Sequence, residues 1–217
     1  MRFDMTNVSG HEAYNLLIGL VAPRPIALVT SLNLEGKLNA APFSAFNYMG
    51  TDPAIVAVGV GNRPGPAIIG KDTAQNIRNR REFVVNIVNE VIAEQMNVCA
   101  IDFPTGMNEL TEAGLTTTPS SVVSTPRITE SPACLECREY TTVEIGRSRI
   151  ILGLVISIFV RDDLLDAAGP YVKAEKLHSI GRMNGLGNYV RTRDSFFQIH
   201  RMSYEEWLKQ KGRPKDR

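Results

Sequence analysis

Two extended runs, Glu139 to Ile145 and Arg149 to Arg161, meet at Gly146-Arg147-Ser148, a link that permits only a hairpin. Such a link makes the two strands antiparallel, because a parallel pair needs a crossover of about a dozen residues or more. The second run contains Ile150 to Val160, an apolar stretch of 11 residues interrupted by Gly153 and Ser157. A membrane helix needs about 20 such residues. The stretch therefore reads as a buried strand, and no membrane span is expected. Upstream, Pro25 to Ser31 is rich in β-formers, Asn33 to Lys37 carries Gly36 as a turn signal, and Leu38 to Met49 resumes an extended pattern. These predict a second hairpin. Ala54 to Val60 and Glu82 to Val88 read as further strands, and Phe196 to Ile199 as a last one.

Helical periodicity is confined to short pieces. His11 to Leu20 spaces Tyr14, Leu17 and Ile18 behind Ser9, a helix cap. Lys71 to Arg81 spaces Ala74, Ile77 and Arg78 behind Asp72 and Thr73, good starting residues. Glu90 to Cys99 reads as another short helix. Asn108 to Ala113 is a helical piece inside an excursion, Asp102 to Pro132, rich in Thr, Ser, Pro and Gly. Long excursions of this kind are often functional or interfacial. Hairpin-linked strands outnumber the helices, which predicts a mainly β protein, an antiparallel barrel with short helices around it. A dinucleotide-binding Rossmann unit is not supported, since Gly59-Val60-Gly61 lacks the third glycine at the required place. No internal repeat or linker divides the chain, so residues 1–200 read as one domain followed by a basic tail, 201–217.

Lys and Arg total 24 against 23 Asp and Glu, a net charge of +1. A protein that binds nucleic acid through its phosphates carries a basic surplus, so no nucleic-acid partner is expected. The opening stretch has Arg2 but then Asp4, Asn7, His11 and Glu12, without an apolar run, which predicts no secretory signal and a cytoplasmic protein. Three cysteines are too few, and odd in number, for a disulfide framework. Cys134-Leu135-Glu136-Cys137 has redox or half-zinc spacing, yet no second pair exists to complete four ligands. No metal site is expected, and the pair reads as small buried hydrophobes at a strand start. The chain has only His11, His178 and His200, and no Gly-x-Ser-x-Gly, Walker A or His-Glu-x-x-His pattern. Side-chain hydrolysis is poorly supplied, and a cofactor bringing its own chemistry would explain the lack.

Three segments suit such a cofactor. Gly61 to Gly70 is a loop shaped by Gly and Pro that leads into Lys71-Asp72-Thr73-Ala74-Gln75-Asn76. Lys71 and Thr73 stand at a helix start, where free N–H groups and the dipole favour an anion, with Asn76 one turn on. From Gly61 to Arg81, Arg63, Lys71, Arg78, Arg80 and Arg81 face only Asp72, a surplus of 5 − 1 = 4. A solvated basic helix face would look the same. Asn39-Ala-Ala-Pro-Phe-Ser-Ala-Phe-Asn-Tyr48 combines small residues, polar groups and aromatics that suit a flat heteroaromatic ring, or plain core. His178 to Arg191 brings His, Arg and Tyr together in a glycine-rich loop, or forms an ordinary surface loop.

Arg24-Pro-Ile-Ala-Leu-Val-Thr-Ser31, Asn39 to Asn47, Lys71 to Asn76, Phe83-Val-Val-Asn86 and Gly181-Arg-Met-Asn-Gly-Leu-Gly-Asn-Tyr189 occur in one order. Together they resemble the flavin reductase-like family of FMN-binding split barrels, from about Leu16 to Ile199. The resemblance implies a Greek-key split barrel and a homodimer, with FMN at the barrel rim and NADH or NADPH as donor. It implies that Thr30 and Ser31 face the flavin, and that Ser44, Ala45, Phe46 and Asn47 contact the isoalloxazine edge. Lys71, Thr73 and Asn76 would meet ribityl and phosphate. His178, Arg182 and Tyr189 resemble the late-loop positions near the nicotinamide, His178 being the catalytic candidate. Met183 and Asn184 stand where the family's loop has Leu and Gly. The implied activity is an NAD(P)H-dependent flavin oxidoreductase, with a monooxygenase among its implied partners. The other reading is an FMN protein for electron transfer or flavin storage.

Overall fold

The structure, a computed structural model, describes residues 1–62, 70–104, 107–185, 187–193 and 196–211. Helix α1 (Gly10–Leu20) opens on a full capping box, with the Ser9 hydroxyl accepting the Glu12 N–H and the Glu12 carboxylate accepting the Ser9 N–H. Strands β1 (Ala27–Leu32), β2 (Leu38–Phe43), β3 (Phe46–Thr51) and β4 (Ala54–Gly59) follow, then α2 (Asp72–Arg80) and β5 (Glu82–Ile87). A 3-10 turn at Glu90–Ile92 leads into α3 (Ala93–Val98), with α4 (Glu109–Ala113) beyond it. The short strands β6 (Thr117–Thr118) and β7 (Arg127–Ile128) pair with each other ahead of the long hairpin of β8 (Ala133–Ile145) and β9 (Ser148–Val160). Next come β10 (Leu165–Asp166), β11 (Gly169–Val172), α5 (Ala174–Leu177), β12 (Ile180–Arg182), β13 (Tyr189–Arg191) and α6 (Tyr204–Lys211).

The main sheet has seven antiparallel strands in the order β2-β1-β5-β8-β9-β4-β3. Strands β2 and β3 are its two edges, yet only Ser44 and Ala45 separate them in the chain. Laid flat, six strand spacings of about 4.8 Å would put those edges roughly 29 Å apart. Two linking residues cannot span that distance. The sheet must therefore roll until its edges approach without pairing, which is a barrel left open along one seam. This corrects the expectation of one extended strand from Leu38 to Met49, because the chain leaves one edge at Ser44 and joins the other.

Inside the barrel, Ala27, Val29, Phe43, Val56, Val58, Phe83, Val85 and Ile151 pack with Ile77 of α2. A second core lies outside it, where Ile26, Leu28 and Ala40 meet Met96, Cys99, Leu110, Leu115, Ile128 and Ile180. The excursion from Asp102 to Pro132 thus covers the outer face of the sheet. Carboxylates of β8 and β5 hold it there, Glu136 buried and Glu82 half-buried. Glu136 accepts the N–H groups of Ser121 (2.8 Å) and Val122 (2.7 Å), and Glu82 accepts that of Thr125 (2.8 Å). With both faces covered, β1 and the start of β8 lose the alternation of a half-exposed strand. That is why β8 begins at Ala133 and not at Glu139, the start expected from alternation.

Phe196 to Ile199, expected as a last strand, is not one: no strand among the described residues pairs with it, and Phe197 and Ile199 are exposed. In the stretch 201–217, Tyr204–Lys211 forms α6, started by Ser203 and Glu206 in reciprocal hydrogen bonds, and residues 212–217 lie outside the described residues.

Candidate functional site

Helix α2 sits on the barrel rim because its polar first turn bonds to the ends of β1 and β2. Register pairs Ser31 with Asn39, and these two side chains meet the helix. Asn39 Nδ2 donates to Thr73 Oγ1 (3.0 Å), and Asn76 Nδ2 donates to Ser31 Oγ (3.2 Å). Lys71 occupies the N-cap position, and its side chain makes no capping hydrogen bond. A cavity of about 350 Å³ opens there, lined by Lys71, Asp72 and Thr73, by Asn39, Ala41 and Pro42 of β2, and by the segment Cys99 to Phe103 with Glu109. Glu109 accepts the Ala40 N–H (3.2 Å), and its carboxyl is held above the ordinary range, chiefly by burial.

Of the residues expected to meet a cofactor, Lys71 and Thr73 line this cavity. Thr73 accepts from Asn39, so its own O–H is the donor it brings. Ser31 and Asn76 are buried behind the cavity and bond to each other. Thr30 is also fully buried, on the other face of β1, and donates to the Pro126 carbonyl (2.8 Å). The basic surplus of α2 is used elsewhere. Arg78 bonds to Glu144 (2.5 Å), Arg80 to the Asn33 carbonyl (2.9 Å) and Arg81 to Glu139 (2.8 Å). These arginines dock the helix on the β8–β9 hairpin and the β1–β2 turn, so among the described residues the positive charge lining the cavity is that of Lys71. Arg63 and most of the preceding loop lie outside the described residues.

A second cluster lies further along β2, at the corner where the chain changes edges. Ala45 is exposed, Phe46 half-buried, and Asn47 exposed with its Oδ1 accepting the Tyr48 N–H (2.9 Å). Gly59 lets the corner close: its N–H donates to the Ala45 carbonyl (2.7 Å), and a Cβ there would lie 2.7 Å from Ala45 Cβ. Ser44 Oγ accepts from Arg24 Nε (3.3 Å), and the same guanidinium reaches the Met183 carbonyl of the β12–β13 loop (2.7 Å). In that hairpin Arg182 lies against the Tyr189 ring, 4.8 Å from its centroid, and bonds to the Tyr189 hydroxyl. His178 caps α5 in the left-handed region (φ 49°), half-buried at the foot of the hairpin, its carbonyl accepting the Glu90 N–H (3.1 Å). Arg24 thus links Ser44 to the β12–β13 hairpin that carries Arg182 and Tyr189, while Lys71 and Thr73 line the cavity beside β2. The structure keeps the His178 side chain off the cavity wall.

Glu109 and Arg24 were not among the expected site residues. Glu109 lay in the excursion, with nothing in its spacing to mark it. Arg24 had a signal: an arginine before a strand buried on both faces must find oxygens inside the protein.

The cysteines are free and buried. Burial pushes the Cys99 thiol up to about 12 and Cys134 up to about 11, and raises Cys137 as well. Thiolate is the reactive form. In the native protein a thiol reagent near neutral pH is expected to modify none of the three within minutes, and all three after denaturation. Rapid native labelling of Cys134 or Cys137 would contradict the assignment of these thiols as inert core.

A rolled antiparallel sheet open at one seam, carrying an uncapped helix start on its rim, is a split barrel. The flavin reductase like domain family matches residues 20–179, and the chain belongs to that family. A protein of Deinococcus radiodurans is 42% identical over 213 residues, 96% of this chain and 92% of its own. Among solved structures, 2-nitrobenzoate 2-nitroreductase of Pseudomonas fluorescens is 37% identical, covers 94% of this chain and 98% of that one, and superposes with a TM-score of 0.84. Nitrilotriacetate monooxygenase component B of Bacillus cereus is 30% identical, with coverage of 91% and 98% and a TM-score of 0.84. No helix among the described residues is long and apolar enough to cross a membrane.

Proposed function

We propose that this protein is an FMN-binding flavoprotein that acts as an NAD(P)H-dependent flavin oxidoreductase. The observation that carries the proposal is the start of α2, whose N-cap Lys71 makes no capping hydrogen bond, with Lys71 and Thr73 on a cavity lined along β2 by Asn39, Ala41 and Pro42. The donor set fits a flavin phosphate: an ammonium, a hydroxyl and a helix N-terminus. FMN held there would supply the redox chemistry, hydride and electron transfer with NADH or NADPH as the donor. Lys71 and Thr73 hold the phosphate. Ser44, Ala45, Phe46 and Asn47 present main chain and a half-buried ring to the flavin edge, and Arg182 and Tyr189 close the other side. Ser31 and Asn76 act from behind, tying β1 to α2, and Thr30 ties the other face of β1 to the Pro126 carbonyl. His178 is the candidate for contact with the nicotinamide, and an unchanged rate of flavin reduction in His178→Ala at limiting NADH would remove it.

The likeness to a monooxygenase component B supports a monooxygenase as one electron acceptor. A homodimer is supported by α1, which buries none of its residues within the chain and leaves Tyr14, Leu17 and Leu20 exposed. Three free thiols suit a reducing, cytoplasmic setting. The test is the visible spectrum of the purified protein with FMN, then anaerobic addition of NADH or NADPH. Flavin bands retained through desalting and bleached by one nucleotide are the expected result. Bands that neither nucleotide bleaches would favour electron transfer or storage, and no binding at all would remove the phosphate site.

Glu109 makes that binding pH-dependent. Its carboxyl pKa is raised, so on acidification it loses its charge earlier than an ordinary glutamate does. On the same cavity as Lys71, a charged Glu109 opposes a phosphate. Relative to Glu109→Gln, in which the phosphate titrates alone, the wild type is expected to gain FMN affinity as pH falls from neutral through that raised pKa, and Glu109→Gln is expected to bind several-fold tighter at neutral pH, roughly 0.5–1 kcal/mol. Identical pH profiles for FMN binding by wild type and variant would exclude this role.

A further inference from the structure

The geometry points to Arg24 as the positioning residue of the site, the group that fixes the Ser44 corner against the β12–β13 loop. It is only 8% exposed, and one guanidinium serves three parts of the chain. Nη1 donates to the carbonyls of Ile18 (2.6 Å), Val21 (3.0 Å) and Met183 (2.7 Å), while Nε donates to Ser44 Oγ (3.3 Å). Its backbone forms a two-bond bridge with Arg182, the Arg24 N–H donating to the Arg182 carbonyl (2.9 Å) and the Arg182 N–H to the Arg24 carbonyl (2.8 Å). Packing follows the same seam. A Cβ on Gly181 would lie 2.6 Å from Pro23 Cβ, and one on Gly185 would lie 3.1 Å from Ile18 Cδ1.

The end of α1, the edge-changing corner and the late loop are far apart in sequence, and this guanidinium bonds to all three. All four of its side-chain acceptors are neutral oxygens, three carbonyls and one hydroxyl. A buried pair of carboxylate and arginine would be explained by charge compensation, whereas this arrangement uses the rigid planar fork for geometry. A lysine could keep the charge and reach one or two of these oxygens, but it could not hold Ser44 and Met183 at fixed directions. Arg24 therefore sets how the groups proposed to flank the flavin ring stand relative to each other, an inference that rests on the flavin reading of the site.

The experiment compares FMN binding, by fluorescence quenching, in the full-length wild type, Arg24→Lys and Arg24→Gln, with melting midpoints measured alongside. In a folded variant the dissociation constant for FMN is expected to rise by about 10- to 100-fold, a range typical of lost positioning contacts. The band shape of the remaining bound flavin is also expected to change, with no rescue by lysine. A merely structural role would move the melting midpoint and leave the band shape of bound flavin alone. Wild-type affinity and spectrum in either folded variant would overturn the positioning role while leaving the flavin reading intact. If both variants fail to fold, Arg24 holds the fold and not the site, which also overturns it. Failure of the wild type to bind FMN is a separate outcome that removes the flavin reading and this role with it.

Discussion

Replacing Lys71 with alanine is expected to weaken FMN binding by about 10- to 100-fold and to leave riboflavin binding unchanged. The size follows from one charge-assisted hydrogen bond to a phosphate, about 1.5–3 kcal/mol. The selectivity follows from position. Among the described residues Lys71 is the cation lining the cavity, while Arg78, Arg80 and Arg81 are bonded to Glu144, the Asn33 carbonyl and Glu139. Riboflavin lacks the phosphate, so it reads the rest of the site without Lys71. Paired titrations of FMN and riboflavin decide the matter. Equal losses for the two ligands would show that the substitution disturbs the helix start, and no loss for FMN would place the phosphate elsewhere.

Gly153→Val is expected to destabilise the barrel by about 3 kcal/mol or more, the upper end for overpacking a filled core. Register places Gly153 of β9 between Val56 of β4 and Glu139 of β8, and its missing side chain is the space occupied by the Phe83 ring. A Cβ there would lie 2.5 Å from Phe83 Cζ, 3.0 Å from Cε1 and 3.3 Å from Cys137 Cβ. Phe83 is fully buried on β5, so its ring has nowhere to retreat. At about 2–4 °C per kcal/mol for a chain of this size, the melting midpoint should fall by roughly 6–12 °C. Phe83→Leu should recover part of the loss in the double variant, because the two positions contend for one volume. Additive effects of the two substitutions would show that the strain lies in the backbone of β9 and not against the ring.

Much of the local structure was legible. The α1 cap at Ser9, the hairpin at Gly146 and the helix behind Asp72 depend on contacts only a few residues apart, which composition and periodicity record directly. The cavity was half legible. Lys71 and Thr73 could be placed at a helix start, and that start does line a cavity. The basic surplus around them misled, because charge along a helix does not say which residues find a partner across the fold. Thr30 illustrates the same limit. The family resemblance implied that it faces the flavin, while Pro126, 96 residues away, takes its hydroxyl.

Turn length, hydrophobic period and the small number of helices were enough to require an antiparallel, mainly β chain, since each is settled within one hairpin or one helical turn. The closing of the barrel was decided elsewhere. It depends on Ser44 and Ala45 joining the two edges of a seven-stranded sheet, and no local pattern reports which strands are edges. The site shares that origin. Asn39 with Thr73, Glu109 with Ala40, and Arg24 with Ser44 and Met183 are long-range pairs that form only once the sheet has rolled and the excursion has covered its outer face.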